Sequence, residues 1–148
     1  MLQDCLDLWE PVASERGIVL TLEAPDSAPA IEADEEKLRR VFDNVVKNAV
    51  EAIDRGPGRV CIRVSVPVPE KIRVSVEDTG PGISEGVQVF RLFETTKSNG
   101  TGLGLAIARQ IVQAHGGSIE FGPVTPHGTV FHINLPIVQQ IGGGPLGP

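Results

Sequence analysis

Apolar residues recur along this chain in two patterns, one with the spacing of a helix face and one that alternates residue by residue. Over residues 2–16, Leu2, Cys5, Leu6, Trp9, Val12 and Ala13 fall on one side of an amphipathic helix, which Pro11 bends and Gly17 ends. Residues 18–23 alternate as a half-buried strand does, and 24–29 form a proline-containing connection. Asp34 then has the character of a helix N-cap, and Glu35 and Glu36 suit the positive end of the helix it starts. That helix reaches about residue 54, with Leu38, Val41, Phe42, Val45, Ala49 and Ile53 on its buried side. Asn44, Asn48 and Glu51 follow i, i+4, i+7 and share a different face, along the edge of the apolar arc.

Gly56, Pro57 and Gly58 break the chain. Residues 60–66 and 72–76 alternate strictly and are joined by 67–70, which predicts an antiparallel hairpin. The second strand runs directly into Asp78-Thr79-Gly80-Pro81-Gly82. Residues 84–99 have weak periodicity and predict a short helix and a mobile loop. Residues 103–115 are apolar nearly all round (Leu103, Leu105, Ile107, Ile111, Val112, Ala114), as in a helix buried against a sheet, and Gly116-Gly117 ends them. Two more strands, 118–121 and 129–135, meet at a Pro/Gly turn. Helices interleaved with a mixed, mostly antiparallel sheet predict an α/β (α+β) two-layer sandwich, with helices over one sheet face. Residues 1–140 form one domain in this reading, and the Gly/Pro-rich residues 141–148 a disordered tail.

Composition narrows the class. The 148 residues suffice for one domain with a real core, and 41% apolar with 22% charged residues is ordinary for a soluble protein. A net charge of −6 argues against a nucleic-acid partner. There is no apolar run long enough to cross a bilayer and no signal-peptide pattern at residues 1–8. Cys5 and Cys61 make neither a metal cluster nor a disulfide framework, which suits a reducing cytoplasm.

Three polar stations remain. In residues 95–105 a polar loop carrying Thr96 and Lys97 runs into alternate glycines, Gly100, Gly102 and Gly104, at a helix start. Glycines admit close approach, and the first helical turn offers unpaired N–H groups, so this is a cradle for an anion such as phosphate. The others are Asn44/Asn48/Glu51 and Asp78-x-Gly-x-Gly. Singly, each has a plain explanation: a glycine-rich helix start, solvated asparagines, a common turn.

Their order in one chain resembles the N, G1 and G2 boxes of the GHKL ATP-binding superfamily (gyrase, heat-shock-90 chaperones, histidine kinases, MutL). Within it they are most similar to the catalytic ATP-binding domain, of Bergerat type, of a two-component sensor histidine kinase. The matching runs are Asp43-Asn-Val-Val-Lys-Asn-Ala-Val-Glu-Ala, Asp78-Thr-Gly-Pro-Gly-Ile and Gly100-Thr-Gly-Leu-Gly-Leu-Ala-Ile. Phe90-Arg-Leu-Phe-Glu-Thr-Thr-Lys resembles the F box, and Ala114-His-Gly-Gly is also typical. The resemblance implies that Asn48 holds Mg²⁺, with Asn44 helping and Glu51 near metal-bound water. It implies that Asp78 accepts from the adenine amino group while Gly80, Gly82 and Ile83 line the base. Thr96, Gly100, Thr101, Gly102, Leu103, Gly104 and Leu105 then surround the phosphates, Lys97 neutralises charge on the γ-phosphoryl group, and Thr129 makes a water-mediated contact near adenine.

ATPases of the gyrase kind resemble one another in a glutamate where this chain has Asn44, and an amide cannot take a proton from water at neutral pH. The resemblance therefore implies a kinase that leaves the γ-phosphate for another nucleophile. No histidine here matches the family's phosphoacceptor box, so the expected partner is a separate dimerisation and histidine-phosphoacceptor domain, with a response regulator indirectly downstream. The isolated domain is expected to be monomeric. Residues 83–90 are about one helical turn shorter than in many members, and Arg91-Leu92 replaces the usual Glu-Pro, so the lid over the nucleotide is expected to be abbreviated. The alternative from another class is a GHKL anti-sigma-factor-like serine kinase or partner-switching module. A Rossmann-type site fits poorly, because these glycines are spaced G-x-G-x-G and follow a polar loop rather than a strand.

Overall fold

The computed structural model describes residues 1–26, 31–53, 56–82 and 104–137. The expected loop over 84–99 and the tail over 141–148 lie outside these residues. In chain order the elements are α1 (Leu2–Glu15), β1 (Ile18–Glu23), α2 (Glu35–Ala52), β2 (Gly58–Val68), β3 (Lys71–Asp78), α3 (Gly104–Ala114), β4 (Ser118–Pro123) and β5 (Thr129–Pro136). They make one five-stranded sheet in the order β1-β2-β3-β5-β4. Only β1 and β2 pair in parallel, because α2 carries the chain back between them; the other pairs are antiparallel. The two-layer sandwich expected from the sequence is the observed architecture.

Alternation sorts each strand between the two layers. Val60, Ile62 and Val64 of β2 lie opposite Asp78, Val76 and Val74 of β3, and Val76 and Val74 lie opposite Phe131 and Ile133 of β5. All of these are buried. The helices cover this row, and α2 is the central one, in contact with α1, α3 and β3. Its middle position widens the buried arc beyond the expected residues, since Val46 and Val50 are also fully buried. Asp34 caps α2 as expected, its side chain accepting from the Lys37 N–H.

Three local expectations need correction. The hairpin strands run further than the strict alternation, leaving only Pro69-Glu70 between them. Pro67 sits inside β2 at a register shift between Ser65 and Val68, beyond the last residue paired with β1, where a missing N–H costs no ladder bond on that side. Val12 is exposed, because among the described elements α1 packs mainly on β1 and α2 and turns this residue away from them. Finally, α3 is not buried all round. It packs chiefly on α2, and Arg109, Gln110, Gln113 and Ala114 face water at the edge of the helical layer.

The far sheet face is polar and knits itself together. The Arg63 guanidinium donates to Glu23 (2.9 Å), and the Cys61 thiol donates to the same carboxylate (3.3 Å); these two bonds hold Glu23 below the usual carboxylate range. Arg73 donates to Asn134, which donates to Ser118. Ser75 Oγ and His132 Nδ1 are 2.7 Å apart. Partial burial lowers the His132 pKa from the ordinary 6.5, helped by Arg73 and opposed by Glu120 and Glu77. The folded protein therefore takes up this proton less readily than the unfolded chain, so the contribution is present above pH 6.5 and fades as pH falls through the lowered value. Urea unfolding between pH 7.5 and 5.5 is expected to show stability falling toward acid, with a shallower fall in His132→Gln. Equal slopes in the two proteins would exclude His132 as the source.

Candidate functional site

The inner row of the sheet changes character at one end. After Ile72, Val74 and Val76, the next helix-facing residue of β3 is Asp78, and its partner in β5 after Leu135, Ile133 and Phe131 is Thr129. Both are almost fully buried, Asp78 at 1% exposure. A carboxylate there needs hydrogen bonds, and the Gly80 N–H donates one to Asp78 Oδ1 (2.8 Å), closing a tight turn. Thr79 anchors that turn to β2: its N–H donates to the Arg59 carbonyl, and its Oγ1 accepts from the Arg59 N–H (2.9 Å).

Gly80 lies against the C-terminal end of α2. A Cβ on it would sit 3.0 Å from the Ala52 carbonyl oxygen, so any side chain would push the turn off the helix by a few tenths of an ångström. Eight residues earlier on the same helix, Asn44 Nδ2 donates to the Gly104 carbonyl at 3.4 Å, at the start of α3. The helical rise of 1.5 Å per residue places these two junctions roughly 12 Å apart along α2. Asn48 and Glu51, both half-buried, lie between them.

The β4–β5 turn closes over the Asp78 loop from the other side. Its ends are tied by the Val124 N–H donating to the Gly128 carbonyl. Gly128 has φ +132°, and a Cβ there would collide with the Asp78 carbonyl oxygen. His127 Nδ1 lies 3.0 Å from the Gly80 carbonyl oxygen, which can only accept, so this nitrogen carries the proton. Neither Gly128 nor His127 is among the expected site residues. Both contacts depend on strand order, and the only sequence cue was their position just before Thr129.

Of the expected residues, Asn44, Asn48, Glu51, Asp78, Gly80, Gly82, Gly104, Leu105 and Thr129 are described. The structure brings Asp78, Gly80, Gly82 and Thr129 together around the turn, and separately joins Asn44 to Gly104. The Leu105 side chain packs against the hydrophobic core. Ile83, Thr96, Lys97, Gly100, Thr101, Gly102 and Leu103 lie outside the described residues. Among the described residues no group of three or more His, Cys, Asp or Glu side chains is placed to hold a metal ion. Each histidine has a local partner. In particular, His115 Nδ1 donates to the Ile111 carbonyl (2.8 Å) while Nε2 accepts from the Asp34 N–H (3.0 Å), which joins α3 to the α2 cap.

A buried carboxylate in a glycine turn, joined by an asparagine-bearing helix to a second helix start, defines the class. Residues 33–139 match the family described as "Histidine kinase-, DNA gyrase B-, and HSP90-like ATPase", and the chain belongs to it. Within that family its relatives are sensor kinases. It is 35% identical over 145 residues to the adaptive-response sensory kinase SasA of Rippkaea orientalis, an alignment covering 94% of this chain and 37% of that one. The nucleotide-free catalytic domain of histidine kinase ThkA superposes with a TM-score of 0.81 at 34% identity, over 90% of this chain and 88% of that one. Full-length ShkA in complex with AMPPNP gives 0.83 at 33% identity, over 94% of this chain and 30% of that one. The fold is thus that of histidine kinase catalytic domains, and the chain spans about a third of the length of SasA. No helix among the described residues is long and apolar enough to cross a membrane.

Proposed function

We propose that this domain binds Mg-ATP and passes the γ-phosphoryl group to a histidine on a separate dimerisation and phosphoacceptor domain, with a response regulator as the later receiver. The observation that carries this reading is α2 itself. One helix runs from the Asp78 turn to the Gly104 junction, and the side chain at that junction is a carboxamide rather than a carboxylate. Asp78 accepts a hydrogen bond from the adenine amino group and so disfavours guanine, which has a carbonyl at that position. Thr129 and Gly82 flank the base. Asn48 offers one hard oxygen, and the lack of an acidic cluster among the described residues fits an ion that arrives with the triphosphate rather than one the protein keeps. Bound there, magnesium supplies charge neutralisation between phosphate oxygens. Gly100 to Gly104 and Lys97 complete the phosphate end in this proposal.

Asn44 donates to a backbone carbonyl and offers no base to activate water, which favours transfer over hydrolysis. The local hydrogen bonds of all three histidines support a phosphoacceptor outside this chain. The test is to mix the chain with γ-labelled ATP and a separately purified phosphoacceptor domain from the same kinase. Acid-labile, base-stable label is expected on that domain and none on this chain. Label on serine, or stoichiometric phosphohistidine on this chain alone, would overturn the proposal.

A further inference from the structure

His127 stands in a turn that is complete without it. The Val124–Gly128 backbone bond closes the turn, the Asp78–Thr129 pair continues the sheet beneath it, and the imidazole is on the surface side. Removing the ring breaks no strand pairing and exposes no core. What its hydrogen bond does constrain is Gly80, from its C-terminal side: the carbonyl, in the Gly80–Pro81 peptide, is held by His127 Nδ1 at 3.0 Å, while the N–H, in the Thr79–Gly80 peptide, is held by Asp78 Oδ1 at 2.8 Å. Gly80 is thus gripped at both ends and backed by the Ala52 carbonyl of α2. With no side chain, its backbone torsions are wide, so these backbone contacts set its orientation.

We infer that His127 is a positioning residue for nucleotide recognition: by holding the Gly80 carbonyl it limits rotation about the Gly80 Cα, and so steadies the Gly80 N–H that helps direct the Asp78 carboxylate toward the adenine amino group. This rests on the reading of Asp78 given above. A loosened Gly80 lets the Asp78 carboxylate follow the swinging N–H, and the geometry of a carboxylate–amine hydrogen bond degrades steeply with angle. The effect falls on the base and not on the phosphates, since the Asn44–Gly104 junction lies roughly 12 Å away along α2. ATP and ADP should therefore suffer alike.

The experiment compares the full chain with His127→Ala and His127→Asn by calorimetric titration of ATP and ADP in excess Mg²⁺, alongside the melting temperature of each nucleotide-free protein. Asparagine carries its amide N–H close to where Nδ1 stands and can restore the bond to Gly80. For His127→Ala we expect affinity lower by about three- to ten-fold for both nucleotides, the worth of one ordinary hydrogen bond. His127→Asn is expected within about two-fold of the parent, and all three melting temperatures within about 2 °C of one another. Unchanged affinity in His127→Ala, a loss that His127→Asn does not recover, or a loss matched by a fall in nucleotide-free stability overturns the inference while leaving the adenine reading intact. Failure of the parent chain to bind ATP removes both.

Discussion

Asp78→Asn is expected to weaken ATP binding by about 100-fold while leaving the folded protein intact. A hydrogen bond to a charged acceptor is worth about 1.5–3 kcal/mol, and asparagine sacrifices one in either orientation of its amide. If its oxygen keeps the Gly80 N–H, its amino group turns toward the adenine amino group, donor against donor. If it turns round, the Gly80 bond is lost instead. Titration of ATP and GTP with Mg²⁺ on parent and variant checks this: ATP-selective binding in the parent, little of either in the variant. Because the substitution removes a buried charge and nearly preserves shape, the melting temperature should hold. An Asp78→Asn protein that binds ATP like the parent would mean the carboxylate does not read the base.

The largest loss of stability at the site is expected from Gly128→Ala. The added methyl collides with the Asp78 carbonyl oxygen, and φ +132° is a conformation alanine adopts only under strain. Strain and overpacking together cost about 3 kcal/mol, so the melting temperature should fall by roughly 10 °C. The turn cannot simply swing away, because Val124 and Thr129 tie both its ends. Nucleotide affinity should fall as well, since the collision pushes on the residue that carries the carboxylate. A Gly128→Ala protein as stable as the parent would show that the turn does not lie this close to Asp78 in solution.

What could be read from the chain before its structure follows from how local each feature is. The α2 cap at Asp34 and the core rows of β2 and β3 depend on neighbours a few residues away, and the sequence pattern shows them. Asp78 was legible through the resemblance of its glycine turn; its place on the same side as Val74 and Val76 came with the structure, because β3 runs on through residue 78. Gly104 was readable as a helix start but not as the partner of Asn44, because that contact joins residues 60 apart. His127 was invisible as a site residue for the same reason; its bond to Gly80 exists only because β5 lies between β3 and β4. Likewise, the apolar run in α3 indicated a helix but not that its main neighbour is α2.

α2 serves both as the middle of the hydrophobic layer and as the bench on which Asn44, Asn48 and Glu51 are mounted. Under the function proposed above, melting that helix dismantles the core and the ligand bed in one event. Every occupied molecule is therefore withheld from denaturation, by about 2.7 kcal/mol once the ligand is a hundred-fold above its dissociation constant. Under that proposal, nucleotide supply becomes part of what keeps the polypeptide folded, and the melting temperature is expected to rise with ATP concentration.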